Sequence, residues 1–220
     1  MSHMIEYAEK FEDIFETMKG GDTRELATAC DLVVRSWKDV PVEPLLALKA
    51  LFSKVGLEDR EAHIDEALAS IAEKRPEPFT KIATEPESPL WLSAVEVLSL
   101  TGDEEYLDLF VSLLPLCPKR KLPGLVRSIG RYRCAKAAEA VSPYLNSSDE
   151  ALFFEALLSL EDDGGPEALA CLRAARDARR REGSEMAAVL ERVVEKMERA
   201  AGGPEGPSGF GQGSGGASAG

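Results

Sequence analysis

A chain of 220 residues with 44% hydrophobic and 30% charged residues has the composition of a soluble globular protein, large enough for one substantial core or two small ones. Its 39 acids against 26 bases leave a net charge of −13, which a phosphate backbone repels, so generic nucleic-acid binding is disfavoured. With only His3 and His63 available, any two-histidine metal site or Ser-His-Asp triad has to be built from those two.

The first residues turn acidic at once and lack the apolar run of a signal peptide. Residues 4–18 then place Ile5, Ala8, Phe11, Phe15 and Met18 at helical spacing, and Gly20-Gly21 ends that helix. Asp22 and Glu25 form a capping box for a second helix, expected to run to about Lys38 with Leu26, Cys30, Val33 and Trp37 inward. Residues 43–55 and 60–74 read as a further helix pair around Val55-Gly56. Four prolines between Arg75 and Pro89 predict an irregular loop with one turn near Phe79 to Ala83. Ser88-Pro89 reads as the N-cap and first residue of the next helix. No run alternates with period two between turn signals, so no strand is predicted.

The strongest signal is internal. Displacing the chain by 31 residues brings three segments into register without gaps. Trp91, Leu122 and Phe153 coincide, as do Val95, Val126 and Leu157, and Leu98, Ile129 and Leu160. A second set follows: Leu107, Ala138 and Leu169, then Phe110, Val141 and Leu172. Between the sets fall the turns Thr101-Gly102-Asp103, Tyr132-Arg133-Cys134 and Asp163-Gly164-Gly165. This is a helix-turn-helix unit repeated three times. One such pair cannot bury its apolar face alone, whereas stacked pairs share a core. Leu51, 47 residues before Leu98, is the expected counterpart in the N-terminal half, with the proline-rich segment supplying the extra residues. Residues 184–200 carry one apolar stripe from Met186 to Met197, the pattern of a capping helix. The remaining tail is glycine-rich, with almost nothing to bury, and is expected to be disordered.

The period and the apolar spacing resemble short HEAT-like repeats over residues 88–176. The resemblance implies an all-α fold, a right-handed α-solenoid of stacked antiparallel helix pairs with a C-terminal capping helix. Residues 1–74 would hold two N-terminal helix pairs and 75–89 a Pro-rich loop. Residues 90–200 would hold three repeats and the cap, and 201–220 the tail. The function that follows is an adaptor or scaffold binding another protein through its concave or edge surface, non-enzymatic and without a cofactor. The rival is a HEAT-like enzyme or nucleic-acid-acting protein such as an alkylpurine DNA glycosylase. Those proteins resemble this chain in length but look like a basic concave surface with aromatic and acidic residues. Here Trp91 occupies a core column and the net charge is acidic. The paired His-Glu motifs of HEAT-like iron hydroxylases are missing, and bilin lyases share only the repeat.

Other motifs have plainer readings. Gly211, Gly213 and Gly216 match G-x-G-x-x-G but lie in the tail, without the strand and helix the fingerprint needs. Asn146-Ser147-Ser148 matches a glycosylation sequon, yet Ser147 with Glu150 reads as a capping box. His63 and Glu66, one helical turn apart, have no further ligand in sight. Four cysteines at wide spacing, without an export signal, read as free thiols. The longest apolar stretch, Leu109 to Cys117, is broken by Ser112 and Pro115 and falls short of the roughly 20 residues a bilayer requires. A cytoplasmic location, with no membrane partner, is the expectation.

Charge distribution points to the site. Residues 109–138 carry seven bases and no acid, between 88–118 with five acids and 139–172 with eight, neither of which holds a base. Two readings stay open for Arg131 and Arg133. They form a ladder with the acids of neighbouring turns, or they belong to a basic patch for a partner with an acidic surface. Arg173 and Arg176, on the last repeat's second helix, have fewer acids in register and are the first candidates for partner contact. Arg127 and Lys136, on helices away from the turns, are expected to assist.

Overall fold

The computed structural model describes residues 2–201, with side chains from Phe11 onward except that of Glu58. The glycine-rich tail, with its expected disorder, lies outside the described residues. So do the side chains of His3, Ile5 and Ala8. Within the described residues the chain is all-α and carries no strand.

The helices are α1 (Ser2–Gly20), α2 (Thr23–Arg35), α3 (Val42–Val55), α4 (Glu58–Ala72), α5 (Glu77–Ala83) and α6 (Trp91–Leu100). They continue as α7 (Glu104–Leu113), α8 (Leu122–Gly130), α9 (Ala135–Val141), α10 (Glu150–Asp163), α11 (Pro166–Arg181) and α12 (Met186–Ala201). Short 3₁₀ turns at Leu114–Leu116, Lys119–Lys121 and Ser142–Asn146 join the later helices. The capping box of α2 is formed: Asp22 accepts from the amides of Arg24 and Glu25, and Glu25 accepts from the amide of Asp22. Two other expected caps shift. Helix α6 starts at Trp91, because the Ser88 hydroxyl accepts only from the amide of Leu90, within the preceding turn. Asp149 caps α10 by accepting from the amide of Leu152, while Ser147 accepts from Asp149.

The proline-rich segment is more ordered than a loop. It holds α5, which buries Phe79 and Ala83 and packs on α6. Ala83 also presents its carbonyl to the indole N–H of Trp91 at 2.7 Å, which satisfies the one polar atom of that buried ring.

The 31-residue register is visible in packing and in backbone. Of the fifteen side chains in the five apolar columns, all are buried except Leu122 and Leu169, which are half-buried. Helix α8 packs between α6 and α10, and α9 packs on α11. The three turns adopt the left-handed conformation at the same repeat position: φ is 71° at Gly102, 46° at Arg133 and 68° at Gly164. Leu51 departs from the register. It is 46% exposed, so it is not the N-terminal counterpart of buried Leu98. Close approach is built in where α8 meets α10, since a Cβ on Gly130 would lie 3.2 Å from the Cα of Ser159 and nearer still to its side chain. Helix α12 covers the end of the array with Ala187, Leu190, Val194 and Met197, chiefly against α11.

Candidate functional site

Bases that look like free surface charge in the sequence are drawn into the fold. Three of them reach back to loop carbonyls on an earlier part of the chain. Arg75 donates to the carbonyls of Lys38 at 2.9 Å and Val40 at 2.5 Å. Lys121 donates to those of Pro86 at 2.6 Å and Ser88 at 2.8 Å, with its ammonium 5.6 Å from the centroid of the Trp91 ring. Arg179 donates to those of Leu145 at 3.0 Å and Ser147 at 2.7 Å, over the Phe153 ring. A cation is a natural clamp here, because carbonyl oxygens at turns and helix ends keep lone pairs that the backbone leaves unused, even where, as at Ser88, one is taken by the amide of Trp91.

The predicted contact residues sort differently from the expectation. Arg173 donates through Nε to Glu198 at 2.9 Å, and Arg176 pairs with Asp177 at 2.9 Å and Glu191 at 3.6 Å. Having fewer acids in register does not leave these two unpaired: α12 supplies Glu198 and Glu191, and α11 itself supplies Asp177. Arg127 makes a two-pronged pair with Glu155 on α10, with Nε to Oε2 at 2.9 Å, and Lys136 pairs with Asp108 on α7. Both partners lie 28 residues away, one helical turn short of the 31-residue offset. Arg131 reaches Ser99 Oγ at 3.0 Å and the carbonyl of Glu96 at 3.3 Å, neutral acceptors rather than the turn acids of a ladder. The side chain of Arg133 alone of the six has no hydrogen bond or ion pair among the described residues; its backbone is in the left-handed region, with its amide donating to the carbonyl of Gly130 at 3.2 Å.

Arg127, Arg131 and Arg133 line a depression of about 270 Å³ between α8 and α10, with Glu155, Leu158 and Asp162 opposite. Leu158 is 51% exposed and Phe154, one turn back on α10, is 41% exposed. The surface thus sets the Arg133 guanidinium, which has no ion-pair partner among the described residues, near exposed apolar area.

Sequence reasoning missed a second cluster. Lys49 on α3 is 1% exposed, and its ammonium sits 2.7 Å from Glu61, 2.7 Å from Asp65 and 3.1 Å from Glu96. Ser53 donates to Glu61 at 2.5 Å. Burial pulls the Lys49 pKa down, but the charges of Glu96 and Asp65 and hydrogen bonds to Asp65 and Glu61 outweigh it and hold it above the ordinary value. Burial pushes Glu61 up, yet hydrogen bonds from Lys49 and Ser53 leave it below the usual carboxylate range. For Asp65, burial wins over Lys49 and the carboxyl titrates high. The cluster ties α3, α4 and α6 together.

All four cysteines are free, with Cys30 buried and the others half-buried. The thiol of Cys30 is pushed up to about 11 by burial and then by Asp31 and Glu66. Burial likewise pushes Cys117 to about 11, against a weaker pull from Lys121. A folded pKa above that of the unfolded chain favours folding while the thiol is protonated. That contribution is complete below the ordinary value of 9.0 and is lost as pH rises through about 11. Tyr132, raised by burial, acts in the same direction. Melting temperatures are therefore expected to stay level from neutral pH to about 9 and then fall, with thiolate absorbance appearing in the folded protein near pH 11. A melting profile that stays level through pH 11 would contradict this.

Among the described residues no group of three or more His, Cys, Asp or Glu side chains is placed to hold a metal ion, and no helix is long and apolar enough to cross a membrane. No protein-family model matches the chain, and a search of curated proteins finds no match either.

Proposed function

We propose that the chain is a HEAT-like, right-handed solenoid of stacked helix pairs closed by α12, and that it serves as a non-enzymatic adaptor or scaffold. Its partner is another protein presenting an acidic segment, received on the α8–α10 surface. The observation that carries this reading is Arg133. The equivalent turn position is glycine in the repeats on either side, and glycine is the residue that adopts a positive φ without strain. Holding arginine there costs about 1–2 kcal/mol. Its side chain has no hydrogen bond or ion pair among the described residues to offset that cost, and the bond from its amide to Gly130 is one that glycine would make equally. Backbone strain kept without internal compensation is characteristic of contact sites.

The neighbouring side chains fit the same role. Arg131 donates to neutral acceptors, and the carboxylate that feels its charge, Glu61, is already hydrogen-bonded to Lys49 and Ser53, so Arg131 retains attraction for a further carboxylate. Leu158 supplies apolar area beside the cations, and Phe154, one turn back on α10, adds exposed apolar area, the combination found at the centres of protein interfaces. Arg127, Lys136, Arg173 and Arg176 are weaker contributors, because each must release an acid before taking another.

Arg133→Gly separates site from fold. Its melting temperature is expected to hold or rise, by up to about 1 kcal/mol of added stability, while partner capture falls. The check is capture from native-host extract on immobilised protein, quantified by mass spectrometry, for the wild type, Arg133→Gly, Arg131→Glu and Arg173→Glu/Arg176→Glu. The first two variants should lose a partner that the wild type retains, and the α11 double variant should keep it. Full retention by Arg133→Gly would overturn the reading.

A further inference from the structure

A groove at the N-terminal end carries a different polarity. Helix α1 buries Met18 and Phe11 and packs mainly on α2, while it meets α3 only marginally. The gap between α1 and α3 holds about 760 Å³. Its walls are apolar: Phe11 and Phe15 from α1, and Pro44, Leu48 and Leu51 from α3. Among the described residues its rim is acidic, with Glu12, Glu16 and Asp39 against Lys19 alone. Lys19 is already paired with Glu16 at 2.6 Å, which leaves Glu12 and Asp39 unpaired. Leu51 is exposed on the wall, and Val55, one turn further along α3, is 55% exposed.

We infer that this groove receives an amphipathic helical segment of another protein, one with two large apolar side chains a turn apart and Lys or Arg on its flanks. Grooves between two helices take such helices by their i and i+3 or i+4 anchors. The volume lies within the roughly 300–1,000 Å³ of pockets that bury a drug-sized apolar ligand, which is room for a few side chains. Charge chooses among the occupants. A second copy docked through the same groove would set its own rim carboxylates against these. Residues 202–220 of the chain offer Phe210 but no base, so they leave the rim acids unanswered. Anionic lipid is repelled in the same way. A basic flank neutralises Glu12 and Asp39 and steers the encounter. The site is separate from the Arg133 surface, which calls for the opposite charge.

The test is a display library of random peptides about twelve residues long, roughly three helical turns, selected on the immobilised full-length protein. Recovered peptides are then titrated by fluorescence anisotropy. They should share a pair of bulky apolar residues three or four apart, with Lys or Arg at the flanks. Binding should weaken about tenfold or more in Leu51→Glu and in Glu12→Lys/Asp39→Lys, equivalent to 1.4 kcal/mol or more. It should weaken with salt and stay unchanged in Arg133→Gly. Leu51 is exposed, so its variant should melt like the wild type, which separates loss of binding from loss of fold. The inference is overturned if no peptide is enriched, if the enriched peptides lack basic flanks, or if Leu51→Glu binds them equally. It is also overturned if sedimentation shows a dimer that Leu51→Glu abolishes, since the occupant is then a second copy. None of these outcomes bears on Arg133.

Discussion

Lys49→Ala is expected to cost about 3–5 kcal/mol, because it leaves three clustered carboxylates without their buried cation. The wild-type geometry explains the size: Glu61, Asp65 and Glu96 all lie within 3.1 Å of one ammonium that has almost no access to water. Lys49→Met, which keeps most of the volume, should lose less, and adding Asp65→Asn should restore part of the loss. Urea denaturation at neutral pH measures all three. The pH dependence supplies a sign. In the wild type Glu61 titrates low, so its contribution is present above the unfolded carboxylate pKa and is lost as pH falls through its folded value. In Lys49→Met the unpaired carboxylates favour protonation, so the variant should gain relative to the wild type on acidification. Equal stability of Lys49→Ala and wild type at pH 7 would show that the ammonium does not hold this cluster.

The second large effect concerns the repeat core. Ile129 is 0% exposed on α8, which packs between α6 and α10, and Ile129→Ala should cost about 2–5 kcal/mol through lost burial and the cavity it leaves. Leu158→Ala is the control on the next helix. Its side chain is half in water, so the loss should stay near or below 1 kcal/mol. Similar losses at the two positions would mean that the 31-residue register does not define the core.

That register was legible because apolar columns repeat at a fixed spacing, and burial of a shared face demands such spacing. The capping box at Asp22 and Glu25 was legible because it is local. Longer-range pairings were not. Arg127–Glu155 and Lys136–Asp108 fall one turn short of the repeat offset, since side chains lean along their helices. Arg173 and Arg176 looked free because α12 lies outside the repeat, and nothing periodic announces that its Glu198 and Glu191 face α11. Lys49 was missed because a lysine inside a helical pattern reads as a solvent-facing residue. One signal was present and unused. Arginine at a turn position that is glycine in both neighbouring repeats marks a residue retained against its backbone preference.

The contact surface itself is tested most directly by hydrogen–deuterium exchange on the complex with the captured partner. Added protection is expected at the α8–α9 turn around Arg133 and along the exposed face of α10 near Leu158, with α11 and α12 unchanged. Protection confined to α11 and α12, with the Arg133 turn exchanging as in the free protein, would contradict the assignment.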